Sequence, residues 1–189
     1  MKLVGLLSEI ITAGTITIYH RTKQKPSLFK DGYQPSTKGM YGIGLYGTYH
    51  FEDQQLDSMR MYGKYVIEYE IPNTKRFIVF DDSEAIKIYG ERYNFIEQLR
   101  KILGGDFIKV YTRYKDKIDH LNKIMLKGEA KYSIMYADYL VQSIPGLMNY
   151  VDGLIYSGVR TGRSMILFNY SIAKPMRYTD DNENWNNIN

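Results

Sequence analysis

Two places in this sequence hold side chains able to do chemistry together. The first is a β-branched, alternating run, Thr15–Tyr19 (TITIY), which delivers His20 and is followed by Arg21 and Thr22. The second is the stretch 39–53, GMYGIGLYGTYHFED, in which Gly39, Gly42, Gly44 and Gly47 are interleaved with Tyr41, Tyr46 and Tyr49. Glycine lets backbone approach a ligand closely, and tyrosine offers a flat face with a polar tip. Other chemistries drop out. Ser8, Ser27 and Ser164 lack the Gly-x-Ser-x-Gly context of an activated serine. Gly42-x-Gly44 is not followed by the third glycine and helix of a dinucleotide fingerprint, and there is no Gly-Lys-Ser/Thr phosphate loop. Cysteine is absent, and His20, His50 and His120 have no metal-ligand spacing, so no metal site is expected. His50 and His120 read as surface residues. What remains is an aromatic, glycine-lined cleft with one histidine and few carboxylates, suited to a flat, polar heteroaromatic ligand.

The elements that would position these residues follow from periodicity. Met1–Gly14 reads as a short amphipathic helix and is poor as a signal peptide. After the His20 strand, Thr22–Lys38 reads as a surface loop, and Gly44–Tyr49 as a second strand. Glu52–Tyr62 reads as a helix capped by Asp53, with Leu56, Met59 and Tyr62 facing inward. Lys64–Ile71 (KYVIEYEI) alternates cleanly as a strand and Arg76–Phe80 starts another, while Ser83–Tyr89 makes a helical turn. Helices are predicted over Glu91–Leu103 (stopped by Gly104-Gly105), Asp106–Lys127 with Ile118, Leu121, Met125 and Leu126 on one side, and Lys131–Ser143. Gly153–Ser157 and Met165–Tyr170 close the pattern as strands, and the polar stretch after Tyr178 reads as disordered. Strands, then helices, then strands argue for an α+β fold with a mixed or mostly antiparallel sheet. The expected organisation is a leader-like segment over 1–14, one domain over 15–178 and a tail over 179–189.

Apolar residues make up 44% of the 189 and charged residues 24%, ordinary for a folded chain, and no run reaches the length of a membrane span. The net charge of +4 and pI of about 9.0 allow nucleic acid as partner or substrate without requiring it. The densest basic run, Arg113-Tyr114-Lys115-Asp116-Lys117, reads as a solvated helix face.

Tyr19-His20-Arg21-Thr22, Gly42–Tyr49 (GIGLYGTY), Tyr62-Gly63 and the late strand Ser164–Tyr170, in that order, resemble the diphtheria-toxin and poly-ADP-ribose-polymerase branch of the ADP-ribosyltransferases. The resemblance spans roughly 15–178. It implies a split sheet with flanking helices and a helical insertion, and NAD as the substrate. It also implies roles. His20 would hold the nicotinamide ribose hydroxyl, the backbone at Arg21 would pair with the carboxamide, and Tyr46 and Tyr62 would stack on the ring. Thr22, Gly42 and Gly44 would complete the motif around NAD. The expected activity is mono-ADP-ribosylation of a host protein or nucleic acid in the cytoplasm, without a membrane or a metal.

Two positions depart from that pattern. Arg21 stands where the family has glycine, so its side chain must leave the cleft. Ser164 stands where the catalytic glutamate belongs, and serine cannot supply the negative charge that offsets a developing cation. Glu52, Asp53 and Asp152 are the candidate replacements. The same stretches resemble proteins carried by tailed phages, and Leu7-Ser8-Glu9 resembles the Leu/Ile-x-Glu cleavage signal of capsid-targeting leaders, which implies loss of residues 1–9 and packaging in a virion. Three readings follow: an active transferase, a catalytically inactive relative kept for binding or as a virion-associated protein, and an unrelated α+β binding domain.

Overall fold

A computed structural model describes residues 14–26, 36–39, 42–54, 57–72, 76–80, 94–129, 133–158, 162–180 and 184–188. The chain is α+β, as its element order predicts. It divides into two compact units, one formed by residues 1–73 and 160–189 and the other by residues 74–159. The second is inserted in sequence between the two parts of the first, where the resemblance implies a helical insertion. The expected single domain over 15–178 is therefore two units.

The first unit is built on antiparallel strands. β1 (Thr15–Thr22) lies between β3 (Gly42–Thr48) and β4 (Tyr65–Pro72). β3 pairs on its other side with β7 (Gly162–Leu167), and β2 (Ser36–Gly39) also pairs with β3. β4 pairs onward with β8 (Lys174–Thr179), which carries the two-residue β9 (Asn186–Asn187). Two single helical turns, α1 (Phe51–Gln54) and α2 (Asp57–Arg60), connect β3 to β4.

Alternation fixes the faces of β1 and β4. Ile16, Ile18 and His20 lie opposite Ile71, Tyr69 and Ile67, and the apolar members of these pairs are buried. That row is the unit's core face, and His20 is the polar residue at its end. Tyr19 and Arg21 point the other way. On that side Tyr19 meets Phe51 at 5.5 Å between ring centroids, and Trp185 packs on Phe51 at 5.4 Å with the Arg177 guanidinium 4.4 Å above it. Arg177 forms a forked pair with Glu68 at 2.9 and 3.1 Å. The tail expected to be disordered is thus ordered over 184–188. Its polar side chains carry no periodic signal, but one tryptophan and the β8 edge hold it in place.

In the second unit β5 (Phe77–Val79) runs parallel to β6 (Gly153–Gly158). α3 (Phe95–Leu103) is fastened to β5 by Gln98, whose buried amide accepts from the Val79 N–H and donates to the Val79 carbonyl. This helix starts later than expected because Asn94 caps it, accepting from the Ile96 and Glu97 N–H groups. α4 (Phe107–Leu126) bends at Tyr114, and α5 (Ile134–Ser143) follows. Phe107, Val110, Ile118, Leu121 and Met125 are buried along α4, whereas Leu126, expected to face inward, is 64% exposed in the last turn. The segment 1–13 and the turn expected over 83–89 lie outside the described residues.

Candidate functional site

The first unit's strands form two laddered halves. β1 is paired with β4 along its whole length, and β3 with β7 from Leu45 to Thr48. Between these halves, β1 and β3 share one register pair among the described residues, Tyr19 opposite Thr48. His20 is the next residue along β1. Instead of extending the ladder, its imidazole crosses to β3, with Nδ1 2.6 Å from the Tyr46 carbonyl oxygen. A carbonyl only accepts, so Nδ1 carries the proton and Nε2 is the ring's acceptor. Desolvation lowers the His20 pKa from 6.5 to about 4, the bond to Tyr46 opposing that fall, so the ring is neutral at physiological pH.

The glycines have a different role from the one their spacing predicts. A Cβ on Gly47 would lie 2.5 Å from the Tyr19 carbonyl oxygen, and one on Gly44 3.0 Å from the Leu167 carbonyl oxygen and the Ile166 side chain. Both glycines let β3 fit closely against its neighbour strands. The space a side chain would fill is taken by the protein itself, which removes the ligand-cradling argument at these two positions.

The seam is closed on one side by α1. Gln54, fully buried, donates from Nε2 to the Tyr19 carbonyl at 2.9 Å and to Thr48 Oγ1 at 2.7 Å, so one side chain spans both halves. Arg21 leaves the His20 side of β1, as the resemblance requires. Its Nε donates to the Gln54 carbonyl and its Nη1 to the Gly63 carbonyl. Asp53 is not a helix cap. Its carboxylate accepts from the Arg163 N–H at 2.9 Å and from the Arg163 guanidinium at 3.1 Å, tying the start of β7 to α1.

The other expected site residues are placed as follows. Tyr46 is half-buried on β3, and its backbone takes the His20 bond. Thr22 ends β1 and accepts from the Gln24 N–H. Gly42 begins β3 opposite Gly39. Ser164 is buried beside Thr48 across the β3–β7 ladder, with Oγ 3.4 Å from the Gly162 carbonyl. Tyr62 differs from expectation: it follows α2 in a turn and is 51% exposed, so it does not face inward. Of the candidate acids, Asp53 is committed to Arg163, Asp152 lies 3.8 Å from Arg76 in the second unit, and Glu52 is exposed on α1. Gln54 was missed by sequence reasoning, because a single helical turn carries no period. His50 sits in the strand-to-helix corner against Tyr49, and His120 is exposed on α4.

Among the described residues no helix is long and apolar enough to cross a membrane, and no cluster of His, Asp and Glu assembles that could hold a metal ion. No protein-family model matches the chain, and no curated protein matches it. A solved structure described as "Crystal structure of an anti-CRISPR protein" is similar over 81% of this chain and 89% of that one, at 12% identity and a TM-score of 0.37. A likeness of that extent carries no inference about function.

Proposed function

We propose that this chain is an ADP-ribosyltransferase-like protein that takes NAD at the seam between β1 and β3 and transfers one ADP-ribose to a host protein or nucleic acid. The observation that supports this most is the short pairing of β1 with β3, Tyr19 opposite Thr48, beside which the His20 ring reaches the Tyr46 carbonyl. The three motif strands lie side by side as β1, β3 and β7, and the histidine stands next to the pair that joins the first two. A split sheet with a histidine on its first strand is the arrangement the sequence resemblance implies.

In this reading the bond from ribose C1′ to the nicotinamide nitrogen breaks and nicotinamide leaves with the bonding pair. A nucleophile of the target then bonds to C1′ and gives its proton to solvent. Neutral His20, its Nδ1 held by Tyr46, would hold a ribose hydroxyl as the resemblance implies, and the Tyr46 ring offers a face for the nicotinamide. Both act by placement, which is a large part of catalysis in a dissociative reaction. Ser164 brings no charge to the cation that develops at C1′, so turnover is expected to be slow.

One observation favours the second reading, a catalytically inactive relative used for binding or as a virion-associated protein. Ser164 is buried against the Gly162 carbonyl, and the candidate acid on α1, Asp53, is neutralised by Arg163 at the start of β7. Incubation with NAD labelled in the ADP-ribose part and a cell lysate separates the two. The transferase reading predicts label in a discrete acceptor, lost in His20→Ala and in Tyr46→Ala. Label that survives both changes contradicts the site, and no label with a folded protein leaves the binding reading.

A further inference from the structure

Helix α4 of the second unit carries a row of cations that the proposed NAD site does not use. Lys109, Arg113, Lys117 and Lys123, with the His120 ring among them, are all exposed and recur three or four residues apart, the spacing that stacks side chains along a helix. The bend at Tyr114 does not scramble the row. Phe107 and Val110 before it, and Ile118, Leu121 and Met125 after it, keep the same inward phase, so the opposite side keeps its phase too.

The charges divide by position. Lys115 pairs with Asp119, which also accepts from Tyr111 at 2.6 Å, and Arg100 of α3 pairs with Glu97. Lys127, one turn past Lys123, pairs with Glu129 at 3.4 Å. The basic run that reads in sequence as one solvated face is therefore split between two sides of the helix. Its Lys115 is neutralised, its Lys117 donates to the Ser143 carbonyl at 2.8 Å, and Arg113 joins the outward row with Lys109 and Lys123, where Asp116 is the acid present.

We infer that this side of α4 is a docking surface for a nucleic-acid backbone. Lys109 and Lys123 lie fourteen positions apart, about 21 Å of helix, and three cations along that length match a run of phosphates. Two members of the row lie beside aromatic rings. The Arg113 guanidinium is 5.2 Å from the Tyr114 ring, and the His120 ring is 5.2 Å from Tyr139. Rings among cations are what unpaired bases stack on. An acidic protein fits less well, because protein interfaces centre on buried apolar anchors. The row has none: Thr112 and Asp116 lie among its cations, and the exposed apolar residues of α4, Ile108 and Leu126, share helical phase with Lys115 and Asp119 and not with the row. Phosphate contacts need no apolar anchor, since released counterions supply the affinity.

The test is fluorescence anisotropy of a labelled 20-nucleotide single strand and of its duplex, between 50 and 200 mM salt, with poly-glutamate as competitor. Three phosphate contacts predict a slope of log K against log salt of about −2.7 for duplex and about −2.1 for single strand. K109E/R113E/K123E is expected to weaken binding at least tenfold at 50 mM salt and to flatten the slope. K109Q/R113Q/K123Q, which introduces no repulsion, lowers the slope by about 2.7 for duplex and about 2.1 for single strand and covers the case in which the first variant fails to fold. His20→Ala, in the other unit, leaves binding unchanged, so failure of the NAD reading and of this one are told apart. No salt-dependent binding at 50 mM, equal binding by the neutral variant, or preferential capture of poly-glutamate each overturns the assignment.

Discussion

At the scale of the residue, the site rests on one histidine whose environment was only half legible in sequence. The alternating run before His20 shows that a strand presents it. Nothing in the spacing shows that the ring meets the Tyr46 carbonyl of a neighbouring strand, because strand pairing is a long-range property. The glycines were visible for the wrong reason: Gly44 and Gly47 are required by the backbones beside them, and their lack of a Cβ reports close strands. Ser164 was legible as a missing acid, and burial gives that absence its weight. His20 also yields a pH prediction. Its pKa of about 4 lies below the 6.5 of a histidine in the unfolded chain, so between these values the unfolded state binds the extra proton. The stability from holding it neutral is full above about pH 6.5 and is lost as pH falls toward 4, at up to about 1.4 kcal/mol per unit. His20→Asn keeps a donor for the Tyr46 carbonyl and cannot titrate. The unfolding free energy of the wild type minus that of this variant should fall by about 1–3 kcal/mol from pH 7 to pH 4. A difference that does not change with pH contradicts a desolvated, neutral ring.

Among the elements, the four-residue α1 does more than its length implies. Asp53 reaches β7, and Gln54 reaches β1 and β3 from the next position. Arg21 is drawn back to the same turn. These links join parts of the chain distant in sequence, so no local pattern announces them, whereas β4 and α3 were legible because alternation and helical spacing are local. Gln54→Ala removes one amide and leaves the buried Tyr19 carbonyl without that donor and Thr48 Oγ1 without the same partner. A loss of about 2–4 kcal/mol is expected in urea unfolding. The larger consequence is mechanical: the seam should open more readily, read as faster hydrogen exchange at the amides of Tyr19 and Thr48 than at the β1–β4 ladder. Uniform exchange across both would show that Gln54 does not hold the halves together.

For the molecule as a whole, the order strands, helices, strands gave the class, and the insertion of a helical unit between the parts of a strand-built one matches it. What stayed hidden was the closing of the first unit by its own tail, where Trp185 lies over Phe51 beneath Arg177. Burial of Tyr19 in that cluster, with Glu68 beside it, pushes its hydroxyl to about 12, so the phenol stays protonated there. A polar tail carries no periodic pattern, and one aromatic residue anchors it by contacts a sequence does not display. The central claim is that the seam at His20 is an NAD site, and a thermal-shift titration with NAD and with nicotinamide, on the wild type and on His20→Asn, tests it most directly. Binding to the folded state alone adds about 2.7 kcal/mol at a hundredfold excess over Kd. The account predicts a concentration-dependent rise in Tm for the wild type, and a much smaller one for the variant, whose side chain keeps the bond to Tyr46 but lacks the second ring nitrogen. No shift at millimolar NAD, or the same shift in both proteins, contradicts it.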